Sequence, residues 1–387
     1  MTPLPKHSVS GTTIFTVMSA LAHQHNAINL SQGFPDFPVD PRLGELAFEG
    51  MQQGFNQYAP MAGLPLLKQA IAADFGRRYG VAIDGENEIT ITPGATYAIY
   101  TAFTSILQPG DEVIILEPAY DSYIPNIEMN GAKAVPVPLI TPSFEVDWDL
   151  MKKAVTSKTK AIIVNTPHNP TGAIWTKEDW DQLAALVDGT DIYILSDEVY
   201  EQLVFDGKKH HSVLQHPGLR HRSFALYSFG KVFHNTGWKV GYCIAPPELT
   251  TAFRRIHQYL CFSVNTPAQY AIAHYLESGG HEHIGSLLQQ KRDYFLDLIS
   301  HTPFRIYQPA AGSYFQIAGY GSFNSLPDRQ CAEWLTKELG VATIPVSAFY
   351  HNGKDDHLLR FCFAKKEATL NSAVARLKKL NSAAGIS

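Results

Sequence analysis

The chain has 387 residues, 45% hydrophobic and 17% charged, enough to bury a large core and to form two domains. A net charge of −5, with basic residues neither in excess nor clustered, excludes a nucleic-acid surface and an anionic-membrane surface from the expectations. Met1 to Leu21 lacks the basic flank and apolar run of a secretory signal, and no stretch approaches the roughly 18 apolar residues of a membrane span, so a cytoplasmic protein is expected.

From Ile89 to Ala245, short apolar runs at 89–92, 112–116, 161–164, 192–195, 224–227 and 240–244 alternate with amphipathic segments such as 177–186. Runs this short and apolar predict strands covered on both faces, hence an α/β fold with a mostly parallel central sheet flanked by helices. Ligands of such sheets sit beyond the carboxyl ends of the strands. The polar motifs fall there: Pro93-Gly94-Ala95-Thr96, Glu117-Pro118-Ala119-Tyr120, Asn165-Thr166-Pro167-His168-Asn169-Pro170, Ser196-Asp197-Glu198-Val199-Tyr200, and the stretch from Ser228 through Lys231 to Gly241. After about Gly280 a long helix (284–299), strands around Tyr314 and Leu359 and a helix at 367–377 predict a smaller α+β domain. The expected division is an N-terminal arm with part of the small domain at 1–40, a large cofactor-binding domain at 41–280, and the small domain at 281–387.

Lys231 is the most informative residue. A lysine amine forms a Schiff base with an aldehyde cofactor held within its reach, which points to pyridoxal phosphate. Gly94, Ala95 and Thr96 open an apolar periodic segment, so backbone N–H groups at a helix N-terminus would face a phosphate. Ser228 adds a hydroxyl and Lys239 a charge. Asp197 follows an apolar run at 191–195, and a carboxylate there needs a partner; a protonated pyridine nitrogen would be one. Tyr200 and Asn169 lie where both could donate to the cofactor's phenolic oxygen, although Asn-Pro alone is ordinary turn chemistry. Arg360, flanked by large apolar residues in a strand pattern, suits a bidentate clamp on an α-carboxylate better than lysine would.

Other chemistries find less support. His210-His211 and His281-Glu282-His283 lack zinc-ligand spacing and read as exposed faces or loops, so no metal site is expected. Cys243, Cys261, Cys331 and Cys362 are too widely spaced for a disulfide framework and read as reduced, buried thiols. No dinucleotide or nucleotide-phosphate glycine motif is present.

Taken together, the motifs resemble the fold-type I pyridoxal-phosphate aminotransferases of class I/II, in the branch holding kynurenine/glutamine transaminase K and bacterial methionine aminotransferase. The matching landmarks run from Ser31-Gln32-Gly33-Phe34-Pro35-Asp36-Phe37 through Asn56-Gln57-Tyr58 to Ala342-Thr343-Ile344-Pro345-Val346-Ser347 and Arg360-Phe361-Cys362-Phe363, nearly the whole chain. The resemblance implies that Lys231 is the Schiff-base lysine, Asp197 sits on the pyridinium, Asn169 and Tyr200 on the phenolic oxygen, and Tyr120 against the ring. It implies phosphate contacts from Ala95, Thr96, Ser228, Lys239 and a second subunit's Tyr58, hence a homodimer. Gly33, Asn169 and Arg360 would meet the substrate carboxylate, and Phe15 the side chain, with Phe262 as a further aromatic candidate for an apolar pocket. Lys239 stands where many relatives have arginine, and Tyr120 where many have phenylalanine. The implied activity is transamination between an amino acid, methionine first and then aromatic ones, and a 2-oxo acid. The alternatives are a C–S β-lyase using the same cofactor, and a non-catalytic sensor; the short stretch before Gly11 offers no DNA-binding domain for the latter.

Overall fold

Seven strands form the central sheet of the computed structural model, which describes residues 6–8 and 11–383. The remaining positions of the expected arm at 1–40 and of the expected domain at 281–387 lie outside the described residues. Across the sheet the strands run Ile89–Thr92, Gly241–Ile244, Ser223–Ser228, Tyr193–Asp197, Thr159–Asn165, Glu112–Glu117 and Lys133–Pro138. All neighbours are parallel except Gly241–Ile244, which is antiparallel to the strands on both sides.

Alternation along each strand sends residues to opposite faces. Ile114, Ile162 and Ile194 join one apolar cluster, and Val113, Ile163 and Leu195 join another on the other face. Both faces are covered, which is why the runs are continuously apolar. Lys133–Pro138 was not apparent from the sequence. It carries Pro136 and Pro138 and lies at the sheet edge, where a missing N–H is tolerated. The run expected at 191–195 instead spans Tyr193–Asp197, so Asp197 is the last residue of a strand and not a residue beyond one.

A third cluster gathers Met18 of the helix Ile14–Gln24, Val199, Tyr200 and much of the chain after Ile284. Its sheet places Leu358–Cys362 between Ile344–Pro345 and Phe315–Gly319. The helices Ile284–Ile299 and Glu367–Leu377 contribute Leu288, Phe295, Leu370 and Val374 to the same cluster. Ile28–Asn29 pairs in parallel with Val341–Ala342 and starts the 30–37 segment across this region. None of the described helices is long and apolar enough to cross a membrane.

Two expectations are corrected. His210 and His281 do lie in loops, but their side chains are buried against carboxylates: His210 Nε2 lies 2.8 Å from Glu198 and His281 Nε2 3.3 Å from Asp74. Cys261 is only half-buried, at the frayed end of the helix Pro247–Leu260, where its thiol donates to the Ser263 carbonyl.

Candidate active site

The strand ends meet at one edge because their last residues are in register. Asn165 pairs with Asp197, and Ser228 and Thr92 both pair with Gly241, the first residue of the antiparallel strand. The reversed direction of that strand is what brings Lys239 to the same edge as the carboxyl ends of the others. A cavity of about 300 Å³ opens there, and Gly94, Ala95, Thr96, Tyr120, Asn169 and Asp197 line it. Tyr200, Ser228, Lys231 and Lys239 complete that wall, with Phe15, Gly33 and Arg360 opposite. A larger cleft, about 780 Å³, lies beside Trp148, Trp175 and Tyr307, yet none of its described lining side chains has a buried polar atom left without a hydrogen bond.

At one end the helix Ala95–Ile106 begins after Gly94, which has φ 89° and gives no side-chain cap. Its first-turn N–H groups therefore keep their hydrogen-bonding capacity for a ligand. A Cβ on Gly241 would fall 2.5 Å from the Tyr227 carbonyl oxygen and 3.1 Å from the Ala95 nitrogen, so only glycine lets the strand approach this turn. Lys239 takes a left-handed conformation at φ 55°, and its Nζ reaches 3.3 Å from the place a Cβ would occupy on Gly94.

In the middle, Asp197 is buried and accepts a hydrogen bond from Tyr123 at 2.6 Å on Oδ2, with only a 3.4 Å contact from the Val199 N–H on Oδ1. Burial pushes its carboxyl up to about 6, against the Tyr123 hydrogen bond and the Lys231 charge. Lys231 Nζ donates to the Gly33 carbonyl at 3.2 Å and lies 5.8 Å from the centre of the Tyr200 ring. Burial brings its amine down to about 8, and the Arg360 and Lys239 charges push the same way. Burial also raises the phenols of Tyr200 and Tyr120, so both are hydrogen-bond donors at neutral pH.

Opposite, Arg360 is wholly buried and has no carboxylate partner among the described residues. One terminal nitrogen donates to Asn169 Oδ1 at 2.7 Å, the other to the Ser31 carbonyl at 2.6 Å, and Nε has no partner. The guanidinium lies 3.9 Å from the Phe315 ring centre, with Phe15 and Phe349 at 5.1 and 5.2 Å. Asn169, by accepting with its oxygen, leaves its NH₂ free to donate into the cavity.

Comparison with known proteins agrees with this geometry. The family model described as aminotransferase class I and II matches residues 25–377. The chain belongs to that family. It is 45% identical over 380 residues to methionine aminotransferase of Escherichia coli, covering 98% of each chain. It is 34% identical to human kynurenine–oxoglutarate transaminase 1, covering 93% of each. A crystal structure of an E. coli protein with methionine aminotransferase function superposes with a TM-score of 0.95 at 45% identity, covering 98% of this chain and 100% of that one. N-succinyldiaminopimelate aminotransferase of Mycobacterium tuberculosis superposes at 0.92 with 37% identity, covering 96% and 100%. The protein is a pyridoxal-phosphate-dependent aminotransferase of fold type I, and these relatives favour neither the C–S β-lyase nor the sensor reading.

The site of this aminotransferase fits that cofactor on its own terms. The uncapped helix end, the glycine cradle at Gly94 and Gly241 and the charge of Lys239 suit a phosphate. The buried carboxylate of Asp197 with one weakly engaged oxygen suits a protonated ring nitrogen. Sequence reasoning missed Tyr123, whose position in the short helix Tyr123–Met129 gives no sign that it reaches Asp197. It also missed Asn165, whose NH₂ donates to the Asp197 carbonyl and whose oxygen accepts from the Asn169 N–H. A polar residue ending an apolar strand inside an already suspected motif was the available signal. Phe262 is half exposed, lies outside the cavity of its own chain, and packs edge-on against Tyr58 at 5.4 Å. Tyr58, 82% exposed, likewise stays outside the cavity of its own chain.

Proposed function

We propose that this enzyme takes methionine as its preferred amino donor, accepts phenylalanine, tyrosine and kynurenine as further donors, and passes the amino group to a 2-oxo acid. The observation that carries the reading is the presence, in one cavity, of a lysine with a depressed pKa and a buried arginine that lacks an acid partner among the described residues. Phe15, Phe34 and Phe315 in the lining suit a thioether or an aromatic ring. The names of the E. coli and human relatives support the same donors.

Pyridoxal phosphate, when bound, supplies an aldehyde for amines and a protonated ring that accepts the electron pair left at Cα. In this reading Asp197 keeps the ring nitrogen protonated, Asn169 and Tyr200 donate to the phenolic oxygen, and Tyr120 stacks on the ring. The N–H groups of Ala95 and Thr96, Ser228 and Lys239 hold the phosphate after Gly94, joined by the partner subunit's Tyr58 in a homodimer. Arg360 and Gly33 bind the substrate carboxylate with Asn169, and Phe15 meets the side chain. Lys231 Nζ would hold the cofactor and, as a free amine, would take the Cα proton; burial lowers its pKa to about 8, which favours the neutral form that a base needs. We divide the chain into an arm at 1–40, a large domain at 41–280 that holds the seven-stranded sheet, and a small domain at 281–387 that holds the three-stranded one. We place it in the cytoplasm, which suits its four free cysteines.

The test is a half-reaction panel: cofactor-loaded protein is mixed with single amino acids, and loss of the cofactor's visible absorbance is followed. Methionine should react with the highest second-order rate constant and aromatic amino acids next. Aspartate or alanine ahead of both would overturn the specificity.

A further inference from the structure

Lys365 is a buried lysine that the site described above leaves without a role. It is 3% exposed, and its Nζ donates to the Phe34 carbonyl at 2.7 Å and lies 5.0 Å from the Phe34 ring centre. Among the described residues no carboxylate pairs with it. An ammonium held this way, with one carbonyl and one ring in place of an acid, is costly to bury and needs a reason.

The reason lies in the segment it grips. Residues 31–36 are fixed at both ends: Asn29 Oδ1 accepts from the Ser31 N–H at 2.9 Å, and Asp36 Oδ2 accepts from the Thr369 hydroxyl at 2.6 Å. Between those ends three cations donate to backbone carbonyls, Arg360 to Ser31, Lys231 to Gly33 and Lys365 to Phe34. Gly33 has no side chain to anchor it, and none would fit, because a Cβ there would lie 2.6 Å from the Phe315 ring. Gly33 and Phe34 both line the cavity.

We propose that Lys365 is a positioning residue: it fixes the Gly33–Phe34 peptide over the substrate end of the cavity once Lys231 has left the Gly33 carbonyl for the cofactor. The inference rests on the reading of Lys231 as the cofactor lysine. Of the described side chains that hold these two carbonyls, Lys365 is then the one that remains. Freeing this segment shifts Phe34 and loosens the Ser31 carbonyl that orients Arg360, so it weakens binding of every substrate carboxylate while leaving the proton transfer at Lys231 in place.

The experiment compares cofactor-loaded wild type with Lys365→Met, which keeps the stem and removes the charge, and Lys365→Arg, which keeps a donor. Lys365→Met should raise KM for methionine and phenylalanine alike by about tenfold, the scale of one charge-assisted hydrogen bond, with kcat within about twofold. The dissociation constant of 3-phenylpropanoate, which has the carboxylate but no amine, should rise by a similar factor, and Lys365→Arg should recover most of both. Should the methionine variant not fold, Lys365→Gln, with an N–H donor on a shorter stem, should show a rise of about threefold in the same two constants. Unchanged constants, a loss confined to kcat, or an arginine variant as impaired as the methionine one each overturn the anchor. Borohydride trapping separates the two readings: cofactor trapped on Lys231 with unchanged constants removes only the anchor, whereas cofactor that cannot be trapped there removes both.

Discussion

Asp197 and Glu198 are neighbours at one strand end, and they open onto two different polar regions. Behind the sheet, Glu198 is saturated: Oε1 accepts from the Ser196 hydroxyl at 2.8 Å and the Val213 N–H at 3.0 Å, and Oε2 from Tyr227 at 3.0 Å with His210 at 2.8 Å. Nearby, Arg78 is ion-paired to both Asp74 and Glu201. In front, among the described residues, Asp197 has one strong donor, Lys231 one carbonyl at 3.2 Å, and Arg360 no acid partner. Both regions bury charge, so burial alone does not mark function. What separates them is the charge left unmatched in front, which a ligand with a phosphate, a pyridinium and a carboxylate would complete.

Substitutions that respect this division should have opposite signatures. The largest effect is expected for Lys231→Ala, which should lower kcat by roughly 10⁴-fold or more with the melting temperature nearly unchanged; repeated turnover by that variant would break the contrast. Glu198→Gln should do the reverse, lowering the melting temperature by a few degrees while kcat stays within about threefold. Arg360→Ala should raise KM by about 10²-fold, equally for methionine, phenylalanine and tyrosine, because it reads their common carboxylate; loss for a single side chain would assign Arg360 to specificity instead. A pH series sharpens the same point. Only the neutral amine attacks an aldehyde, so pyridoxal-phosphate capture by cofactor-free protein should accelerate as pH rises with a midpoint near 8, whereas a midpoint near 10.5 would show an unperturbed lysine. The smallest effect is expected for Tyr123→Phe, about tenfold in cofactor affinity measured by fluorescence titration, since it removes one hydrogen bond to Asp197.

Much of this was legible in the sequence because strand-end chemistry is local. An apolar run followed by a polar motif identifies both the strand and the residues at or just beyond its end, so Ala95, Asn169, Asp197 and Lys231 could be named before their positions were known. Lys239 was nameable for a different reason, as a second cation in the stretch that holds Lys231. Tyr123, Lys365 and the buried histidines were not, because each is defined by a partner distant in the chain: Asp197 for Tyr123, Phe34 for Lys365, Glu198 for His210 and Asp74 for His281. Proline hid the edge strand Lys133–Pro138, where sheet position overrides the usual strand signal.

The central claim is that Lys231, alone among the cations facing the cavity, carries the cofactor. Borohydride reduction of the yellow protein followed by peptide mass spectrometry tests it directly. The predicted result is one modified peptide, with the reduced pyridoxyl phosphate on Lys231; attachment to Lys239 or Lys365, or no stable attachment, would contradict the account.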